Sequence, residues 1–266
     1  MSDLSIRQLE IIAAARESGR VAVEDLARRF EVTPQTIRKD LNDLCDRRLM
    51  SRVHGGAVVA SGVENLSYEA RRFVASEEKR AIGRAAAALI PNRSSLFINI
   101  GTTTEEVANA LTGHENMLVI TNNLNVAMQL YRLESFEVIV AGGPVRRADG
   151  AVVGTSAVEL IRQFKVDMAV IGVSAIDEDG SLLDFDYREV RVAQAIIENA
   201  RRVILVADRS KLERSAPVRI AHLGQIDTFV TDSLPSLRLR ELCRESNISL
   251  IETLPDRAAT EDGADG

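Results

Sequence analysis

From residue 95 to residue 252 the chain repeats one pattern: a short apolar run, a break containing Gly, Asn or Asp, and often a stretch with helical spacing. The apolar runs fall at 95–100, 117–121, 136–141, 167–172, 202–207, 227–231 and 248–252. Helical spacing occupies 103–112, 124–133, 187–200 and 236–245. Strands joined through helices run parallel to one another, so the pattern predicts an α/β domain with a largely parallel sheet and helices on both faces. Such sheets bind ligands at the carboxyl ends of their strands.

The polar motifs collect at those ends. In "LFINIGTTTEEVANAL", Gly101 lets the backbone approach a ligand closely, and Thr102, Thr103 and Thr104 bring amides and hydroxyls to the positive end of the next helix. That arrangement is a phosphate cradle or a simple capped turn. In "ITNNLNVA", Asn122 and Asn123 can bind hydroxyls or cap the following helix. Gly142, Gly143, Arg146 and the Asp149-Gly150 pair read as a loop and a hairpin turn. "LLDFDYREVR" crowds Asp184, Asp186 and Glu189 at a helix start, where the helix dipole alone would favour them. "VILVADRSK" closes a strand with Asp208, Ser210 and Lys211.

The first sixty residues follow a different rhythm. Ile6, Leu9, Ile12 and Ala13 mark a helix over residues 4 to 17 that stops at Gly19, and Leu26, Ala27 and Phe30 mark a second, short one. In "TPQTIRKDLNDL", Thr33 can cap a third helix with Pro34 at its first position. Ile37, Leu41 and Leu44 share one face of it, which leaves Gln35, Thr36, Arg38, Lys39 and Asn42 pointing away. The next segment, "RRLMSRVHGGAVV", reads as a two-stranded wing carrying Arg52 and His54. A helix, a tight turn and a second helix with an outward polar start is how a helix-turn-helix meets the major groove; an ordinary three-helix bundle is the alternative.

Charge supports that division. The net charge is −6, but residues 1 to 60 hold ten Lys or Arg against nine Asp or Glu, so the acidity belongs to the rest of the chain. Between 33 and 56 five basic side chains face three acidic ones, a modest excess that suits a DNA contact made by one helix and its flank. Cys45 and Cys243 are far apart and read as free thiols, and the three histidines have no partners at ligand spacing, so neither a metal nor a cofactor is expected. No apolar stretch suits a membrane span or signal peptide, which places the protein in the cytoplasm. The expected organisation is a DNA-binding domain at 1–58, a linker at 59–76 leading into a long helix through "AIGRAAAALI", a ligand-binding domain at 77–254 and a disordered tail at 255–266.

"VTPQTIRKDLNDL" followed by "HGGA" resembles the winged helix-turn-helix of the DeoR family of bacterial transcription regulators. "LFINIGTTTEEVANAL", "ITNNLNVA", "AGGPVRRADGAVVG", "SLLDFDYREVR" and "DRSK" extend the resemblance over most of the chain. It implies a repressor that is no enzyme, binding double-stranded operator DNA as a dimer or tetramer through Thr33, Pro34, Gln35, Thr36, Arg38, Lys39, Arg52 and His54. It also implies that the second domain is similar to sugar-phosphate isomerases of the ribose-5-phosphate type and holds a phosphorylated effector, with glycerol 3-phosphate expected and another sugar or polyol phosphate as the alternative. Gly101, Thr102, Thr103, Thr104 and Lys211 would take the phosphate, and Asn122, Asn123, Gly142, Gly143, Arg146, Asp184, Asp186 and Glu189 the remainder. An isomerase would need a carboxylate base against the substrate carbon; the acidic run that supplies one in those enzymes is missing here, leaving only Asp186 or Glu189 for the task. Within the pattern of the repressors, Asn99 stands for an Asp, Thr104 for a Pro, Ala175 for a Gly and Lys39 for an Arg.

Overall fold

The computed structural model describes residues 4–253 except 19, 48, 54–55 and 60–67. The chain forms two compact units, Met1–Val74 and Ala75–Gly266.

In the first unit, α1 (Ile6–Ser18), α2 (Val23–Arg29) and α3 (Pro34–Asp46) surround one apolar core, and β1 (Arg20–Ala22), β2 (Met50–Val53) and β3 (Gly56–Val59) form an antiparallel sheet in the order β1-β3-β2. The core gathers Ile11, Ile12, Ala15, Leu26, Ile37, Leu41, Leu44 and Met50. Ile6 and Leu9, expected on the buried face of α1, are exposed instead, because the inward stripe runs through Ile11, Ile12, Ala14 and Ala15. Ser5 opens α1 in a reciprocal cap with Gln8: the Gln8 amide donates to Ser5 Oγ at 3.2 Å, and the Ser5 amide to Gln8 Oε1 at 2.9 Å. The Gly19 helix stop lies outside the described residues.

The expected long helix after the linker is two helices, α4 (Tyr68–Phe73) and α5 (Ser76–Ala87). The break falls at Ala75, whose φ of 52° lies in the left-handed region that L-residues other than Gly, Asn and Asp rarely visit. Nothing in the alanine-rich sequence announces it.

The second unit continues with β4 (Ser95–Ile98), α6 (Thr102–Ala110), β5 (Met117–Thr121), α7 (Leu124–Leu130) and β6 (Phe136–Val140). A small hairpin of β7 (Val145–Arg146) and β8 (Ala151–Val152) follows, then α8 (Thr155–Ile161) and β9 (Val166–Ile171). After them come β10 (Ala175–Ile176), β11 (Ser181–Asp184), α9 (Tyr187–Glu198), β12 (Ala200–Val206), β13 (Val218–His222), β14 (Thr228–Thr231), α10 (Leu237–Glu245) and β15 (Ser249–Glu252). Seven strands form one sheet in the order β15-β14-β12-β9-β4-β5-β6, and every neighbouring pair in it is parallel.

Period-two alternation divides the sheet between two cores. Leu96, Ile98, Val119, Val170, Ile204 and Val230 face Ile82 and Ala86 of α5, Val107 and Ala108 of α6, and Val126 and Leu130 of α7. Phe97, Ile120, Ala169, Ile171, Leu205 and Phe229 face Ala157 and Ile161 of α8, Val192 and Ile196 of α9, and Leu239 and Cys243 of α10. The sequence reading missed α8 and the small antiparallel sheet β10-β11-β13, whose elements are too short to carry a clear period. Cys243 is buried and Cys45 partly buried, both as free thiols.

The strand order reverses beside β4. The chain first builds outward through β5 and β6, then returns to the other side of β4 with β9 and proceeds to β12, β14 and β15. A crevice opens at the carboxyl ends of the two strands on either side of such a switch.

Candidate functional site

The outer face of α3 is the first site. Thr33 caps the helix by accepting from the Thr36 amide at 3.2 Å, its hydroxyl meets the Thr36 hydroxyl at 2.9 Å, and Pro34 takes the first helical position. Gln35, Arg38, Lys39 and Asn42 are exposed and Thr36 half-buried, while Ile37, Leu41 and Leu44 are fully buried. Thr33, Gln35, Thr36, Arg38, Lys39 and Asn42 line an open hollow of about 570 Å³ together with Arg7 and Asp40. The cap fixes where the helix begins and therefore where these side chains point. Arg52 lies on β2; His54 lies outside the described residues.

The second site is the crevice after β4 and β9. Gly101, with φ of 146°, adopts a conformation that favours glycine, and α6 starts at the next residue. Thr102, Thr103 and Thr104 are buried. The hydroxyl of Thr104 donates to the carbonyls of Asn99 at 2.7 Å and Gly101 at 2.8 Å, so this residue braces the turn where a proline would have fixed it by its ring. Asn99 accepts from the Ile100 amide at 2.7 Å and stiffens the same turn. The first amides of α6 have no partner within the helix and collect at its positive end.

Gly172, after β9, faces this turn. A Cβ there would lie 3.5 Å from Thr104 Cγ2, 3.6 Å from the Ile100 carbonyl oxygen and 4.0 Å from that of Val206. The ends of β4, β9 and β12 therefore meet within a few ångströms. Past β12 stand Asp208 and Lys211, 2% and 7% exposed. Burial would raise the Asp208 carboxyl, yet it is held below its ordinary range by Lys211 and Lys79 and by the hydroxyl of Ser210. Its Oδ2 is buried without a hydrogen-bond partner. Asp232, after β14, is pushed up by burial and by the charge of Asp208, and accepts from the Arg209 amide at 2.6 Å.

Asn122 and Asn123 take different roles. Asn123 caps α7, accepting from the Asn125 amide at 2.9 Å and the Val126 amide at 3.4 Å, and donates to buried Glu105 at 3.1 Å. Asn122 is fully buried and donates to the Val152 carbonyl at 3.3 Å, but its Oδ1 has no partner among the described residues.

Arg146 sits at the centre of an ion-pair network. Its Nε and Nη2 reach Asp149 at 2.8 and 2.7 Å, its Nη1 reaches Asp186 at 2.9 Å, and Nη2 also reaches Glu189 at 2.5 Å. Burial would weaken the charge on Arg146, but the bonds to Asp149 and the charge of Glu189 raise its pKa instead. Asp186 also caps α9 and accepts from the Arg188 side chain, which with Arg146 holds its carboxyl down at about 2. Asp184 accepts from Ser174 Oγ at 2.7 Å and from the amides of Phe185 and Asp186, a turn-forming role. Gly142 and Gly143 precede the hairpin; Gly142 faces open space, and a Cβ on Gly143, whose φ is 141°, would meet the Val153 carbonyl oxygen at 3.0 Å.

Three participants escaped the sequence reading. Lys79 is 1% exposed on α5, on the same stripe as Ile82, Gly83 and Ala86. A lysine at the i position of an apolar i, i+3, i+4, i+7 series is the signal that could have found it. Glu105 and Arg7 gave no such signal, because their partners are distant in sequence. Among the described residues no cluster of His, Cys, Asp or Glu is placed to hold a metal ion, and no helix is long and apolar enough to cross a membrane.

A helix-turn-helix unit with an outward polar face, followed by a parallel α/β unit with a glycine turn opening a helix at its switch point, is the architecture of a ligand-responsive DNA-binding regulator. Residues 7–63 match the DeoR-like helix-turn-helix domain and residues 74–233 the DeoR C-terminal sensor domain, and the chain belongs to the DeoR family. It is 45% identical to the glycerol-3-phosphate regulon repressor of Escherichia coli K12 over 240 residues, 90% of this chain and 95% of that protein. It is 48% identical to the repressor of the same name from Haemophilus influenzae over 231 residues, 87% of this chain and 90% of that one. Among solved structures, ribose-5-phosphate isomerase A from Methanocaldococcus jannaschii shares 14% identity, with a TM-score of 0.39 over 52% of this chain and 55% of the other.

Proposed function

We propose that this protein is a transcriptional repressor of a carbon-catabolic operon that leaves its operator when the sensor domain binds glycerol 3-phosphate. What supports the ligand class is the chemistry of two sets of groups at the strand ends of the second unit. In one set the turn at Gly101–Thr104 presents helix-terminal amides beside the strand end that holds buried Lys211, a setting for a phosphate dianion. In the other set Asn122 offers an unpartnered carbonyl and the Arg146–Asp186–Glu189 network offers carboxylate oxygens, which accept from hydroxyls. Arg146 is saturated by carboxylates, so in this reading it orients Asp186 and Glu189 and leaves the phosphate to Lys211. Asn123 and Asp184 hold the walls, and Gly142 and Gly143 leave room for the ligand.

Operator recognition falls to Gln35, Thr36, Arg38 and Lys39 on a helix start set by Thr33 and Pro34, with Arg52 and His54 supplied by the wing. Lys39 gives a phosphate a point charge without a bidentate fork. Of the two carboxylates open to proton abstraction, Asp186, bonded to two arginines and held at about 2, is a poor acceptor near neutral pH. The protein is a sensor that works in the cytoplasm on paired operator half-sites, and each subunit pair spans one helical turn or a multiple of it.

The test titrates the operator complex with glycerol 3-phosphate and a panel of three- to six-carbon phosphates. Glycerol 3-phosphate is expected to release DNA, and Lys211→Ala and Thr103→Ala are expected to abolish release while operator affinity stays intact. Release of DNA from either variant at the wild-type ligand concentration would place the phosphate elsewhere.

A further inference from the structure

We propose that Arg7, on the first helix, grips a phosphate of the DNA backbone and that Asp40, on the reading helix, aims it. Arg7 Nε donates to Asp40 Oδ2 at 2.6 Å, the side chains being 34% and 11% exposed. Arg7 makes no other hydrogen bond among the described residues, so the donors on Nη1 and Nη2 remain available. The same arginine lines the hollow bounded by Thr33, Gln35, Thr36, Arg38, Lys39 and Asn42, on the face proposed to meet DNA.

Three features set this apart from a simple staple between helices. First, α1 and α3 are already joined by Gln8 Nε2 donating to Asp43 Oδ2 at 2.8 Å and by the core of Ile11, Ile37 and Leu41. Second, a bond through Nε alone leaves unused the fork with which an arginine makes its strongest carboxylate pair. Third, Asp40 is an acidic group on a surface that must approach a polyanion, and without a cation beside it the carboxylate would repel the phosphates. With Arg7 in place the pair is neutral.

A backbone contact carries no sequence information, so a duplex of random sequence serves as probe beside the operator on which the wild-type protein leaves its footprint. Affinity is measured with the full chain at several salt concentrations, and thermal melting is followed in parallel. Arg7→Ala is expected to weaken binding to both duplexes by roughly 10-fold and to reduce the salt slope by about one per DNA-binding unit. Arg7→Lys restores the slope and part of the affinity, because the charge returns without the fork. Asp40→Asn keeps the slope and loses affinity, because the guanidinium is still present but no longer aimed. Unchanged affinity in Arg7→Ala overturns the proposal. So does a loss with an unchanged salt slope, which a purely structural staple would give. If Arg7→Ala fails to fold, Arg7→Lys decides alone: a folded protein with a reduced slope overturns the assignment, and a wild-type slope upholds it.

Discussion

Asn122 is fully buried, and its amide nitrogen has the Val152 carbonyl while its Oδ1 has nothing. A buried acceptor left bare costs about 1–3 kcal/mol, and a ligand hydroxyl donating to it would recover that cost. Asn122→Ala is expected to weaken effector binding by roughly 5- to 150-fold, the same energy read as an equilibrium ratio, with operator affinity unchanged. Calorimetric titration of effector into the variant checks it; wild-type affinity would mean that the acceptor faces no hydroxyl. At this scale the sequence was legible wherever a residue's task is local. The cap at Thr33, the turn at Gly101 and the hairpin at Asp149-Gly150 depend on neighbours within a few positions. The opposite roles of Asn122 and Asn123 were not legible, because the partners are Val152, thirty residues on, and Glu105, eighteen residues back. Arg146 illustrates the same limit: its position in a loop near polar residues was visible, but the carboxylates that surround it come from as far away as Glu189.

Among the elements, α5 ties the sensor unit together. It packs against α6, β12 and β14, carries buried Lys79 opposite the charge of Asp208, and starts right after the division between the two units. Its contact with α6 is so close that a Cβ on Gly83 would lie 2.6 Å from the backbone carbon and oxygen of Glu106. Backbone cannot yield as a flexible side chain would, so Gly83→Ala must push the two helices apart. The expected cost is about 1–3 kcal/mol of stability, as for other overpacked contacts. Since α6 begins at the Gly101 turn proposed to take the phosphate, effector affinity should fall too. Melting of the full chain together with effector titration checks this; a variant as stable as wild type would show that α5 can shift freely on α6. The strands and the longer helices were legible because their apolar periods run for several turns or residues. The break at Ala75 was not, since a left-handed alanine is imposed by what surrounds it and leaves no mark in composition.

For the whole molecule the constraint is thermodynamic. The residues proposed to face DNA and those proposed to hold the effector belong to different units of one chain, and an effector can release DNA only by binding better to the conformation that holds DNA less well. No direct contact between the ligands is needed. Couplings of this kind are typically ~1–3 kcal/mol, which corresponds to roughly 5- to 150-fold weaker operator binding. The same free energy must appear from the other side, so saturating operator DNA should weaken effector binding by the factor that effector weakens operator binding. Charge gives the comparison an internal control: the acidity of the chain lies beyond residue 60, so salt will change operator affinity strongly through the phosphate contacts. Both halves of the cycle must therefore be measured at one salt concentration. Effector affinity, determined by calorimetry with and without saturating operator, is expected to differ by the factor found in DNA release. If glycerol 3-phosphate binds free and DNA-bound protein equally well, it has no differential affinity and cannot be the inducer, however well the crevice holds it.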